Sequence, residues 1–276
     1  MMEILEKVRE GVVDAVLPAK CVGEHGFVRP EGRYVCQEHK IFFVEAALIC
    51  PACQQAIYTG ERHLACAPRY GLDGLVSAWE YEGVVKKLLN AVKYGFLTHA
   101  VQETAREAFG VMARDEKRFY PFLSFLSSEN GNARATVITY VPMRKSQEKQ
   151  RGFNQAALFA KELGKTAQCE VMPLLEKIKD TPSQTELGKE ERLANVRGAF
   201  RAKFKARNPK PETSTNDKNP NDKTLFEFQD SNFAIPPKVV LVDDVWTTGA
   251  TMRECCKVLK KAGVQEVWGF AIARTV

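Results

Sequence analysis

The stretch VVLVDDVWTTGAT, residues 239–251, places reactive groups where a core strand would ordinarily end in a plain turn. Val239 to Val242 predict a buried strand, and two adjacent carboxylates, Asp243 and Asp244, close it. Thr247, Thr248, Gly249, Ala250 and Thr251 then open a predicted helix. At the carboxyl end of a parallel strand, side chains reach the crevice where α/β proteins take ligands. Two acids there can accept hydrogen bonds from vicinal ribose hydroxyls or help hold a divalent cation. The N–H groups and dipole of a helix start favour a phosphate. Together these groups describe a cradle for a ribose 5-phosphate. A P-loop lysine and GxGxxG spacing are missing, so neither nucleotide motif applies. A simple N-cap accounts for one residue of the set and not for the rest.

A second chemistry sits near the other end. Five of the eight cysteines (Cys21, Cys36, Cys50, Cys53 and Cys66) fall in the first quarter of the chain, beside His25, His39 and His63. They form pairs: Cys21/His25, Cys36/His39, Cys50/Cys53 and His63/Cys66. A two-residue gap lets one tight turn aim both ligands at one ion, and zinc takes four such N or S donors. Four pairs predict two structural zinc sites, with the first two pairs on one ion and the last two on the other. Crossed pairing satisfies the same spacing. A segment with so little to bury needs metal to fold.

The elements that must carry these groups follow from periodicity. Residues 75–81 predict a strand. In 81–95, Val84, Val85, Leu88, Leu89 and Val92 share a helical face, with Lys86, Lys87, Asn90 and Lys93 away from it. Lys93 reads as an ordinary lysine at a helix C-terminus. Further helices are predicted at 99–114, at 153–164 (ending on Gly164), at 187–197 and from the glycine turn to about Ala262, and strands at 135–142 and 264–274. The alternation argues for a mostly parallel sheet with helices on its faces. Cys255 and Cys256 read as core thiols. The loop after 135–142 offers Arg144, Lys145, Lys149 and Arg151, with Gly152 permitting close backbone approach. Guanidinium forks bind phosphate oxygens bidentately, and a solvated basic loop is the alternative.

The 276 residues allow one large domain or two. The boundaries expected are 1–70 for the zinc segment, with a leading amphipathic helix, and 71–276 for the α/β part. Residues 205–230, rich in Pro, Asn, Thr, Asp and Lys, predict a disordered insertion. A formal charge of +6 suits anionic partners. No run approaches the roughly 18 apolar residues of a membrane span. Glu3, Glu6 and Glu10 near the start argue against an export leader, so the cytoplasm is the expected location.

The stretch 239–251 closely resembles the phosphoribosyl pyrophosphate (PRPP) signature of type I phosphoribosyltransferases. The wider chain resembles the ComF family of competence-associated proteins, which join a double zinc ribbon to such a domain. Residues 81–95, 141–156 with its RGFNQ, 180–200 and the paired metal ligands carry that resemblance. It departs in having His25, His39 and His63 where cysteine is usual, and in the long insertion. The resemblance implies a type I phosphoribosyltransferase-like parallel sheet with flanking helices and a small N-terminal zinc-ribbon domain. It implies Mg²⁺ bound with PRPP, Asp243 and Asp244 on the ribose, residues 247–251 on the 5-phosphate, and Arg144, Lys145, Arg151 and Gly152 on pyrophosphate. Lys177, Gln184, Arg192 and Asn195 would lie in a hood over the acceptor side. It also implies either phosphoribosyl transfer with pyrophosphate release, a PRPP or nucleotide sensor, or a competence factor that holds single-stranded DNA or a helicase.

Overall fold

The computed structural model describes residues 21–23, 34–66, 70–94, 98–127, 136–179, 195–204 and 235–276. The expected leading helix, His25, Gln184, Arg192 and the insertion at 205–230 lie outside the described residues.

Five parallel strands form the sheet: β1 (Gly74–Glu80), β2 (Val137–Tyr140), β3 (Glu170–Val171), β6 (Lys238–Trp246) and β7 (Glu266–Arg274). Their order is β1-β7-β6-β2-β3, and two short strands, β4 (Leu175–Lys177) and β5 (Phe200–Ala202), pair antiparallel beside it. The expected α/β architecture is therefore present, with helices on both faces. A one-turn α1 (Gln37–Lys40) lies in the Cys/His segment. The others are α2 (Gly83–Tyr94), α3 (Thr98–Arg114), α4 (Glu116–Leu126), α5 (Lys145–Arg151), α6 (Gln155–Ala167) and α7 (Ala250–Lys261).

Strand β6 shows why both faces need covering. Val240 and Val242 pack with α2, α3, α4 and α6 through residues such as Leu89, Phe122 and Phe159. Val239 and Leu241 pack on the opposite face with Met252, Cys255 and Leu259 of α7 and with Leu175 and Phe200. Period-2 side-chain alternation on an all-apolar strand gives two buried faces, as parallel sheets require. Both α7 cysteines are buried in this second layer, as expected of core thiols.

The outer edge of β1 is covered by the Cys/His segment. Ala46 N–H donates to Ala78 O, Glu80 N–H to Val44 O, and Leu75 N–H to Gly60 O. An exposed row of strand hydrogen-bonding groups invites wrong pairing, and here the chain itself occupies it. Val35 and Leu48 extend the core on one face and Ile49 on the other.

Several boundaries differ from expectation. Helix α6 runs through Gly164 to Ala167 and ends on Gln168 in a left-handed conformation. A Cβ at Gly164 would run into Val171, so this glycine serves close packing against β3 and not helix termination. The basic segment after β2 is the helix α5, not a loop, and Gly152 (φ +80°) is its left-handed C-cap, donating to Glu148 O at 2.7 Å. No periodicity expectation covers α4. Pro121 lies inside it, yet Asp115 caps its start and Phe119, Phe122 and Phe125 form a buried stripe.

Phe122 is fully buried, with ring centroids 5.9 Å from Phe270 and 5.7 Å from Trp268. Truncation there leaves a cavity beneath the central strands. Phe122→Ala is expected to cost about 3–5 kcal/mol in urea denaturation.

Candidate functional site

The strand order fixes where a ligand can sit. From β2 the chain moves outward through α6 to β3; from β6 it moves the other way through α7 to β7. Helices α6 and α7 pack on opposite faces. A crevice therefore opens at the carboxyl ends of β2 and β6, the topological switch point. It is deepened because β6 outruns β2. Their pairing stops at Tyr140↔Val242, whereas β6 continues beside β7 to Trp246↔Arg274. The sequence expectation that the strand ends at Val242 is corrected here: Asp243 and Asp244 lie within the strand, on the stretch that β2 no longer covers.

A cavity of about 710 Å³ occupies this crevice. Asp243, Asp244, Thr247, Gly249, Ala250, Thr251, Arg151 and Lys177 line it, drawn from β6, α7, α5 and β4. Thr248, Arg144, Lys145, Gly152 and Asn195 do not. Arg144 points instead toward the backbone after β4, donating to Ile178 O at 3.4 Å. Lys145 and Gly152 are exposed. Asn195 starts a short helical turn before Gly198, whose N–H donates to Glu254.

Successive strand residues face opposite ways, and the two acids have different surroundings for that reason. Asp244 faces α2, where its Oδ2 lies 3.0 Å from Lys93 Nζ. Burial pulls Lys93 down, but Asp244, Tyr81 and Asp243 outweigh it and hold the ammonium above its ordinary value. Lys93 is thus no ordinary helix-terminal lysine: it neutralises one of the two acids. Asp243 is half-buried, and its Oδ1 accepts the Asp244 N–H at 2.9 Å. Burial and the Asp244 charge push its carboxyl up to about 8, against smaller opposing effects from that N–H, Lys93 and Lys177.

Helix α2 supplies a wall of the cavity with Lys86, Asn90 and Lys93, and Tyr81 precedes it. Tyr81 Oη donates to Asn90 Oδ1 at 3.1 Å. The signal was in the sequence: Lys86, Asn90 and Lys93 recur at helical spacing opposite the apolar stripe. A polar stripe reads as solvated until a second layer is known to cover it.

The cavity wall also holds buried donors without acceptors among the described residues. Gln155 Nε2 and Trp246 Nε1 are both of this kind. A buried polar group left without a partner costs stability unless something supplies one, so these atoms favour a polar ligand. Asn154 braces the wall, its Nδ2 donating to Val141 O at 3.1 Å and its Oδ1 capping α6. Gly249 (φ +74°) ends the turn, and a Cβ there would run into the Trp246 ring.

The Cys/His segment gathers two clusters that could hold a metal: Cys21, Cys36 and His39, and Cys50, Cys53, His63 and Cys66. The pairing is sequential, as expected, with His25 outside the described residues. His39 Nδ1 lies 3.1 Å from Cys21 Sγ and 3.2 Å from Cys36 Sγ, and the sulfurs are 3.8 Å apart. That sulfur separation matches the edge of about 3.8 Å expected for thiolates arranged tetrahedrally around zinc. A Cβ at Gly23 would run into the His39 ring, so the cluster is shaped around that imidazole. In the second cluster His63 Nδ1 is 3.4 Å from Cys53 Sγ. Burial opposes a Cys50 thiolate, but hydrogen bonds from the Cys53, His63 and Ala52 backbone outweigh it and hold the thiol at about 7. A low thiol value is what a metal ligand needs. Four N and S donors in one cluster fit zinc.

Two measurements check these environments. Asp243 keeps its proton in the folded state up to about pH 8, whereas the unfolded carboxyl loses it near 3.8. The folded state binds more protons across that window, so this group lowers stability as pH rises through it, levelling above. Asp243→Asn is expected to flatten the decline and to exceed wild type in denaturant midpoint above about pH 8. Cys53→Ser is expected to reduce bound zinc by about one ion per chain in metal analysis of purified protein.

No protein-family model matches the chain. Competence protein F of Haemophilus influenzae is 30% identical over 140 residues, 50% of this chain and 50% of that protein. Competence protein ComFC of Streptococcus pneumoniae is 29% identical over 153 residues, 55% of this chain and 54% of its own length. The chain spans about half the length of the curated relatives it matches. No helix among the described residues is long and apolar enough to cross a membrane. Over that half, the chain is similar to these two competence proteins, a likeness that supports the ComF resemblance of its sequence.

Proposed function

We propose that the switch-point cavity binds PRPP, or a related ribose 5-phosphate ligand, and transfers its phosphoribosyl group with release of pyrophosphate. The observation that carries this reading is the meeting of Asp243 and Asp244 with the Thr247–Thr251 turn in one cavity, faced by Arg151 and Lys177. The turn and the N-terminus of α7 receive the 5-phosphate. Asp243 and Asp244 accept hydrogen bonds from the ribose hydroxyls, and Gln155 Nε2 and Trp246 Nε1 gain acceptors. Arg151 and Lys177 face the pyrophosphate. Arg144, Lys145, Gly152 and Asn195 keep no direct role here, because they do not line the cavity.

In the transfer, the bond from ribose C1 to pyrophosphate breaks and a bond from C1 to an acceptor forms. Positive charge develops at C1, and the buried carboxylates lie where they can offset it. Preorganised charge and orientation do the work, with no covalent intermediate. Mg²⁺ bound with PRPP would supply neutralisation of the departing pyrophosphate. Residues 1–70 act as a zinc-ribbon unit beside the 71–276 ligand unit. The names of the relatives support a role in DNA uptake during natural competence, and single-stranded DNA or a helicase are the partners that role implies.

Calorimetric titration of PRPP with Mg²⁺ tests the cradle. Wild type is expected to bind, and Asp243→Asn/Asp244→Asn to lose at least about tenfold in affinity, as the loss of two carboxyl hydrogen-bond partners predicts. Equal binding by both proteins would remove the reading. Pyrophosphate release with candidate bases then separates transferase from sensor: binding without release identifies a sensor.

A further inference from the structure

Arg253 of α7 links the second Cys/His cluster to the glycine turn. Its Nε and Nη2 both donate to Pro51 O, at 3.0 and 2.8 Å, and Nη2 also reaches Ala52 O at 3.4 Å. Pro51 and Ala52 are the two residues between the metal-ligating pair Cys50 and Cys53. The remaining arm, Nη1, donates to Thr248 O at 3.1 Å. From the same knuckle, Gln54 Nε2 reaches that carbonyl at 3.4 Å. Gln54 is held in a left-handed conformation (φ +65°), with its N–H donating to Cys50 O at 2.9 Å. The guanidinium also lies over the Trp246 ring, 5.2 Å from its centroid.

The consequence comes from peptide planarity. Across a trans peptide the C=O of Thr248 and the N–H of Gly249 point in opposite directions. Anchoring Thr248 O toward the knuckle therefore turns the Gly249 N–H to the other side, where Gly249 lines the cavity. Thr248 itself does not line the cavity, and its Oγ1 accepts the Ala250 N–H at 3.4 Å. A glycine at φ +74° has no intrinsic preference for that orientation, so an external anchor is what fixes it.

We propose that Arg253, assisted by Gln54, is a positioning residue that presents the Gly249 N–H to the 5-phosphate and couples metal binding at Cys50, Cys53, His63 and Cys66 to ligand binding. The proposal rests on the cradle reading above. Three donors from one planar fork span the two backbones, a geometry that lysine cannot reproduce. Coupling of this kind is reciprocal: ligand must tighten zinc by the factor by which zinc tightens ligand.

The test uses zinc-loaded, full-length protein and two probes, ribose 5-phosphate and inorganic pyrophosphate, each titrated calorimetrically. Arg253→Ala is expected to weaken ribose 5-phosphate about fivefold to tenfold, the weight of one to two hydrogen bonds. Pyrophosphate binding should be unchanged, because Arg151 and Lys177 come from α5 and β4 and not from the turn that the strut holds. Zinc is then partitioned against a chelator of known affinity. Saturating ribose 5-phosphate should tighten zinc in wild type and not in Arg253→Ala, with Arg253→Lys intermediate. Gln54→Ala, which keeps the Pro51 clamp, is expected to show the same pattern at about threefold and carries the test if Arg253→Ala does not fold. Wild-type affinity in both variants, or equal losses for the two probes, overturns the strut. If Asp243→Asn/Asp244→Asn still loses ribose 5-phosphate in the first of those cases, the cradle stands without it. Failure of wild type to bind ribose 5-phosphate overturns both.

Discussion

A parallel strand buried on both faces has no place for charge, and β6 carries two carboxyl groups. The conflict is resolved by length. Strand β6 runs past β2 while staying paired to β7, so the acids keep backbone partners on one side and meet an open crevice on the other. Everything else at the site follows from that overhang. Helix α7 starts beyond it and turns the Thr247–Thr251 segment toward the same space. Helix α2 closes the wall and brings Lys93 to Asp244. Asp243 lies on the alternate face, and burial and the Asp244 charge push its carboxyl up to about 8.

The asymmetry between the two acids has a chemical meaning. One is paired with Lys93; the other holds a proton that a rise in pH can displace. Storing a neutral acid costs less than storing two adjacent carboxylates in a closed site. A ligand that supplies hydroxyl donors changes that balance, as does the pairing of the buried Gln155 and Trp246 donors.

The Cys/His segment is more than an appendage to this arrangement. It covers the edge of β1, contributes Val35, Leu48 and Ile49 to the cores, and accepts Arg274 Nε at Ala47 O, 2.9 Å away. Lys40 meets Glu107 of α3 at 2.6 Å, which holds the first cluster against the helical layer. The second cluster lies at the other end of the segment, against the start of α7. Metal bound at either cluster would stiffen a piece of chain that the sheet itself leans on.

Local chemistry was legible in the sequence, because the periods of strand and helix and the reach of a tight turn are local quantities. Val239–Val242 announced a strand, the glycine turn a helix start, and the paired cysteines and histidines their sequential grouping. So did the alternation that gave a parallel sheet. What only the tertiary structure decided is which of these groups share one space. Lys93 read as a helix end until the strand order set α2 beside β6. Arg144, Lys145 and Arg151 read alike as phosphate ligands, and of the three Arg151 lines the cavity. Helix α4 was hidden by Pro121 because tertiary burial of three phenylalanines overrides a local breaker. No sequence expectation singled out Arg253. Distances between residues 50 and 253, or 93 and 244, depend on sheet order and crossover handedness, and no window of sequence contains them.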